Sequence, residues 1–329
     1  MTGDAGSEAT RPPGHSGGPV AGPATGQHGR WRLAGLPAAD RTLVMGVVNV
    51  TPDSFSDGGN WLDPAAGVAR GRDLTAAGAD IIDVGGESTR PGAKRITEAE
   101  ELRRVLPVVT ELAAAGTCVS VDTMRAPVAR RAIDAGARMV NDVSGGLADP
   151  EMVSVIAAAG VPYVVVHWRG HSADMYGKAH YDDVVTDVGT ELSLRVAGLI
   201  AGGADPAQII VDPGLGFAKL AEHNWPLLAH LPQISALSAP GGPFPVLVAA
   251  SRKRFLGRLL AGPGGEPRSF TGSDDATVAI TALAAAAGAW CVRVHEVPAN
   301  ADAVRVAARW DQETRPPGVA GGAGEGAGQ

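Results

Sequence analysis

Eight short apolar runs recur along this chain, and nearly every one ends in a polar cluster. The runs are Leu43–Asn49, Ile81–Gly85, Cys118–Asp122, Met139–Asp142, Tyr163–His167, Ile209–Asp212, Val246–Ser251 with Lys253 just beyond it, and Cys291–His295. Most are rich in Val and Ile, as expected of parallel strands covered on both faces. Between them lie Ala-, Leu- and Arg-rich stretches long enough for helices, many closing on Ala-Gly. A strand followed by a helix, eight times over, predicts an α/β fold: a single-domain (β/α)8 TIM barrel. In that fold the C-terminal ends of all strands open onto one face. Asn49, Asp83, Asp122, Asn141, Asp212, Lys253, Arg293 and His295, distant in sequence, are therefore expected to converge. Such convergence points to an enzyme.

A barrel of this kind needs about 250 residues, and residues 41–310 of the 329 supply them. Residues 1–40 carry Gly, Pro, Ser and His without apolar periodicity, and the sequence predicts a flexible extension there. Residues 311–329, rich in Gly and Ala, read as a flexible tail. The formal net charge of −7 speaks against a nucleic-acid surface. No uninterrupted apolar run reaches the roughly 18 residues a membrane span requires. The N-terminus lacks a charged region followed by an apolar core, so a cytoplasmic protein is expected. Its two cysteines, Cys118 and Cys291, begin predicted buried strands and are expected to be reduced thiols.

The polar clusters each admit two readings. The loop Asn49 to Gly59 is either an ordinary connection or a mobile lid with one Phe and a Gly-Gly hinge. In Asp83 to Gly92, Glu87 and Arg90 could form a surface ion pair, or Thr89-Arg90-Pro91 could meet an anionic substrate. Asp122, Asn141 and Asp212 could each cap the next helix. Together at barrel strand ends they suit a ligand with several N–H donors along one edge, where an unpaired buried group discriminates strongly. The glycines of Asp212 to Lys219 let a loop pass close to a flat ligand, with Phe217 as an aromatic wall. Arg293 and His295 fall on the same side of one strand, where barrels often bind phosphate. The plain alternative is an ion pair between that strand end and Glu296. His167 and His171 lack the acidic neighbour of a zinc protease. Ser251 has no nucleophile elbow around it.

Taken together, Met45 to Gly59, Gly85 to Gly92, Ser251-Arg252-Lys253 and Arg293-Val294-His295 resemble the dihydropteroate synthase family. The resemblance runs from about Leu43 to Val297. It implies an enzyme of folate biosynthesis that joins 6-hydroxymethyl-7,8-dihydropterin diphosphate to 4-aminobenzoate, releasing diphosphate. By the same resemblance Asp122, Asn141, Asp212 and Lys253 would bind the pterin, and Arg293 and His295 the diphosphate. Asn49 would contact Mg²⁺, and Asp57 would help close the first loop. Thr89 and Arg90 would line the second loop, while Phe55, Pro91, Phe217 and Ser251 would frame the aminobenzoate. A homodimer is also implied.

Two other functions fit parts of the pattern. A pterin-dependent methyltransferase acting on a corrinoid would also use strand-end Asp and Asn. It would need neither the Thr51–Gly59 loop, nor Ser251–Lys253, nor the Arg293/His295 pair. A non-catalytic paralogue should show broken loop motifs or lost diphosphate groups, and neither is seen in the sequence.

Overall fold

A computed structural model describes residues 31–51, 64–88, 95–170, 175–237 and 239–314. In chain order its elements are β1 (Leu43–Asn49), α1 (Pro64–Ala76), β2 (Ile81–Gly85), α2 (Glu98–Ala114), β3 (Val119–Asp122) and α3 (Ala126–Asp134). Next come β4 (Met139–Asp142), α4 (Met152–Ala159), β5 (Tyr163–Val166), α5 (Val184–Ala201), β6 (Ile209–Asp212), α6 (Ala221–Ala229) and α7 (Leu231–Ser235). The last are β7 (Leu247–Val248), α8 (Arg254–Leu259), α9 (Asp274–Ala286), β8 (Cys291–Val294) and α10 (Pro298–Thr314).

The helices start where local chemistry supplies a cap. Thr97 accepts the Glu100 N–H ahead of α2, whose first turn holds Glu98, Glu100 and Glu101. Asp183 does the same for α5 through the Thr186 N–H. Gly160 closes α4 in the left-handed conformation.

All strand pairs are parallel, in the order β6-β5-β4-β3-β2-β1-β8-β7. A bridge from Val211 to Val246 joins the two ends of that order and closes the (β/α)8 barrel. Alternation along the strands splits the core in two. Val44, Val48, Ile82, Val84, Val140, Val165 and Val292 pack with the helices. Leu43, Met45, Ile81, Met139, Val164, Ile210, Leu247 and Cys291 form a second cluster, the barrel interior.

The domain boundaries differ from the sequence reading at both ends. Residues 31–40 are not a free extension: Leu33 is buried in the interior cluster, and Trp31, Leu36 and Ala39 pack against it. That cluster also holds Leu43, Ile81, Met139 and Cys291, each the first residue of its strand. The segment thus plugs the N-terminal mouth of the barrel. A handful of apolar residues among Gly and Pro has no period to betray this. At the other end α10 continues to Thr314, so the barrel's last helix outlasts the expected limit of residue 310. Both cysteines are free. Cys291 is buried as expected, whereas Cys118 is only half-buried. No helix among the described residues is long and apolar enough to cross a membrane.

The plug makes a direct prediction. A chain beginning at Trp31 should unfold in urea like the full protein, while one beginning at Arg41 should not. Leu33→Ala alone should lose about 2–3 kcal/mol; unchanged midpoints in both would refute the plug.

Candidate active site

The interior phase explains why the polar residues meet. Asp83 is in step with Ile81, Asp122 with Ser120, Asn141 with Met139, Asp212 with Ile210, and Arg293 with Cys291, so each projects inward. The register sets them side by side: Gly85 pairs with Asp122, and Asp122 with Asn141. Apolar side chains fill the lower barrel, and these polar ones form a cup at the C-terminal ends.

One guanidinium organises the cup. Arg293 Nε donates to Asp83 Oδ2 at 2.6 Å and its Nη2 to Asp122 Oδ2 at 2.7 Å. Asn141 Nδ2 donates to the same Asp83 oxygen at 2.9 Å. Asp83 is fully buried, and its Oδ1 has no hydrogen-bond partner. Two carboxylates share one cation, so their charge is not balanced. Burial raises the Asp122 carboxyl above its ordinary range; Arg293 opposes that rise and Asp83 adds to it. Removing the guanidinium would leave buried Asp83 and half-buried Asp122 facing each other without a cation, a loss of up to about 3 kcal/mol, the lower end for broken buried pairs. The alternative partner Glu296 is not the one Arg293 takes. Asp83 was expected at this face without a role; a carboxylate inside an apolar strand was the signal.

Across the cup, Asp212 is buried and its Oδ1 accepts the Gly214 N–H at 2.7 Å. Burial raises its pKa too, with Lys253 among the charges that oppose the rise. Burial lowers Lys253 to about 8, opposed by Asp212 and reinforced by Arg293. Its Nζ lies 4.0 Å from the centre of the Phe217 ring, placing a cation against the aromatic wall. Arg252, just before it, adopts φ +58°, a conformation uncommon outside glycine. That turn is held by Asp274, which takes Arg252 Nε at 3.1 Å and Nη2 at 3.0 Å.

His295 and Ser251 are tied together. Ser251 Oγ accepts the His295 backbone N–H at 3.2 Å and lies 3.0 Å from Nδ1. In the pairing that uses both roles of the hydroxyl, Ser251 donates to Nδ1 and the ring proton sits on Nε2. Ser251, expected to frame the arylamine, holds the imidazole with its hydroxyl.

Asn49 closes β1 beside Asp122. A methyl group built on Gly85 would lie at ordinary contact, 3.4 Å from Asp122 Cβ and 3.7 Å from Asn49 Oδ1, so Gly85 sits between these two side chains. A neutral amide oxygen beside a carboxylate suits a hard divalent ion. Among the described residues no cluster of three or more His, Cys, Asp or Glu could hold a metal. The Asn49 amide oxygen is a ligand type that would suit Mg²⁺, whose other ligands would be substrate phosphates and water. Phe55, Asp57, Thr89, Arg90 and Pro91 lie outside the described residues.

Sequence reasoning missed one buried cation. Lys219 is 3% exposed, and its Nζ bonds His167 Nδ1 at 2.9 Å, Gly214 O at 3.0 Å and Phe217 O at 3.1 Å. At the end of the glycine-rich loop, it had been given no role of its own.

A strand-end cup of acids and amides with cations beside it defines a barrel that binds a flat, N–H-rich heterocycle and an anion. The family described as pterin binding enzyme matches residues 45–295. The chain is 54% identical over 268 residues to the dihydropteroate synthase of Mycobacterium leprae, covering 81% of this chain and 93% of that protein. The Xanthomonas albilineans dihydropteroate synthase with 4-aminobenzoic acid superposes with a TM-score of 0.75 at 42% identity, over 84% of this chain and 95% of that one. The same enzyme in complex with 7,8-dihydropteroate gives a TM-score of 0.72 at 39% identity over the same shares. The chain belongs to the pterin-binding enzyme family, and within it to the dihydropteroate synthases.

The displaced pKa of Lys253 gives a test. The protonated lysine is the better donor to a ring carbonyl, so kcat/KM for the pterin substrate should fall as pH rises through about 8. Lys253→Arg should remove that limb. A profile still bending at the same pH in the variant would assign it to another group.

Proposed function

We propose the residue roles by which this chain, a dihydropteroate synthase, joins 6-hydroxymethyl-7,8-dihydropterin diphosphate to 4-aminobenzoate. One observation carries the assignment: three acids, two of them buried, an amide and two cations converge at one barrel end in a chain of this family. Asp212, with Oδ1 held by Gly214, offers Oδ2 to the amino-pyrimidinone edge of the pterin. Asp122 and Asn141 take further ring N–H groups, and Lys253 donates to the other side of the ring. Asp83 anchors Arg293 and Asn141 in the floor. The net negative charge of the acids favours the N–H-rich ring and helps a cation form beside it.

The arylamine is already a neutral nucleophile at pH 7, so its attack needs no strong base. The barrier lies in the departure of diphosphate from the methylene carbon. His295, with its proton on Nε2, donates to a leaving oxygen, and the Nη1 edge of Arg293 left free by the aspartates offers a second donor. Mg²⁺, held in part by Asn49, supplies further neutralisation of the diphosphate when bound. Delocalisation into the pterin ring supports a dissociative substitution. Phe217 walls the aminobenzoate site, and by the family resemblance Phe55 and Pro91 would frame it too. By the family resemblance Thr89 and Arg90 would line the second loop, and Asp57 would help close the first. Ser251 acts through His295. Neither a corrinoid methyltransferase nor a binding module is favoured by this set.

Purified protein supplied with both substrates and Mg²⁺ should release diphosphate in step with 7,8-dihydropteroate. Lys253→Ala and His295→Ala should each lower kcat by about 10²-fold, and chelation of Mg²⁺ should abolish turnover. Folded wild-type protein that releases no diphosphate would sink the reading.

The enzyme is cytoplasmic and works as a homodimer. Leu283 on α9 and Val306 and Trp310 on α10 are 70%, 66% and 71% exposed, on two helices that pack together. An apolar surface of that kind suits a second copy. Sedimentation at micromolar concentration should give a dimer, and Trp310→Glu should shift it toward monomer; a monomeric wild type would refute it.

A further inference from the structure

The loop after β6, Pro213 to Leu220, is held open by side chains rather than by secondary structure. Gly214, Gly216 and Ala218 have φ of +68°, +75° and +48°, the last uncommon for a residue with a side chain. A Cβ on Gly214 would sit 2.2 Å from the His167 carbonyl oxygen, so the loop passes hard against the end of β5. Such a path is stable only where its surroundings over-determine it. Asp212 takes the Gly214 N–H, Asn224 Oδ1 takes the Gly216 N–H at 2.8 Å, and the Tyr181 hydroxyl donates to Ala218 O at 3.0 Å.

The central clamp is Lys219. Its three ammonium donors reach His167 Nδ1 and the carbonyls of Gly214 and Phe217, which bracket the turn carrying the Phe217 ring. Each partner is fixed in turn. His167 Nε2 meets Glu191 at 3.0 Å, and Glu191 also pairs with Arg169, whose guanidinium lies 3.8 Å from the centre of the Tyr181 ring. An ammonium beside Nδ1 keeps the imidazole neutral; burial, helped by Lys219, lowers His167 to about 4. The loop is thus tied to β5 and α5 through a lysine that touches neither the cup nor bulk water.

We propose that Lys219 is a positioning residue for the arylamine subsite: by clamping Gly214 and Phe217 it fixes the Phe217 wall and so sets the affinity for 4-aminobenzoate far more than that for the pterin, whose acid Asp212 is held on its own buried strand end. This rests on the synthase reading of the site. Lys219→Met keeps the length of the chain but loses all three donors. It should raise KM for 4-aminobenzoate about tenfold, the scale of a lost charged hydrogen bond. The Kd for pterin diphosphate and kcat at saturating arylamine should stay within about threefold. Lys219→Arg, which can still donate to two carbonyls, should recover part of the loss. Tyr181→Phe, removing a different tie to the same loop, should move the same KM in the same direction. Hydrogen exchange at Gly214 to Ala218 should quicken in Lys219→Met.

An unchanged KM in folded Lys219→Met, or a pterin Kd that rises in parallel with it, would overturn the proposal. If Lys219→Met does not fold, Tyr181→Phe and Lys219→Arg decide it on the same readouts. If wild-type protein shows no turnover, the synthase reading fails by itself, while exchange across the loop still tests the clamp.

Discussion

A single arginine forked between two carboxylates holds the working end of this barrel together. Arg293 comes from β8, Asp83 from β2 and Asp122 from β3, so the fork spans across β1 and joins strands that are not neighbours. Apolar packing can fill a barrel with many side-chain sets, but it cannot tell one polar arrangement from another. The shared guanidinium can, because any other pairing strands a buried charge. It also leaves the cup one positive charge short of neutrality among these three groups. A heterocycle rich in N–H donors is drawn to that deficit.

The strands were legible because covered parallel strands are written as unbroken apolar runs. The observed limits differ from the runs by a few residues at most, the largest gap being β7, where only Leu247 and Val248 pair as a strand. The strand-end residues were legible for the same reason: a period of two fixes which way each one faces. Asp83 was visible as an acid inside such a run, yet its partner lies 210 residues away. No local pattern encodes that distance. Ser251 shows a different limit, since its type and place suggested a ligand contact while its hydroxyl serves His295.

Lys219 and the segment from Trp31 to Asp40 were hidden for opposite reasons. A lysine next to a glycine-rich loop reads as surface, because lysine is rarely buried unless its charge is satisfied. Here two carbonyls and an imidazole satisfy it. The N-terminal segment reads as disordered because composition averages over forty residues, and Leu33 alone carries its burial below a tenth. Both cases turn on individual contacts, which composition does not see.

The closure of the barrel has a consequence for how the cup behaves. Seven junctions between strands are laced by ladders, while the eighth is held by the lone bridge from Val211 to Val246. A cylinder sewn unevenly gapes first along its weakest stitch. Asp212 stands on one lip of that slit, at the end of β6, and Lys253 on the other, beyond β7. Under the roles proposed for Asp212 and Lys253, the grip on the flat bicycle would be set across the least laced line in the wall, and a bound ring held by both lips would act as the missing thread.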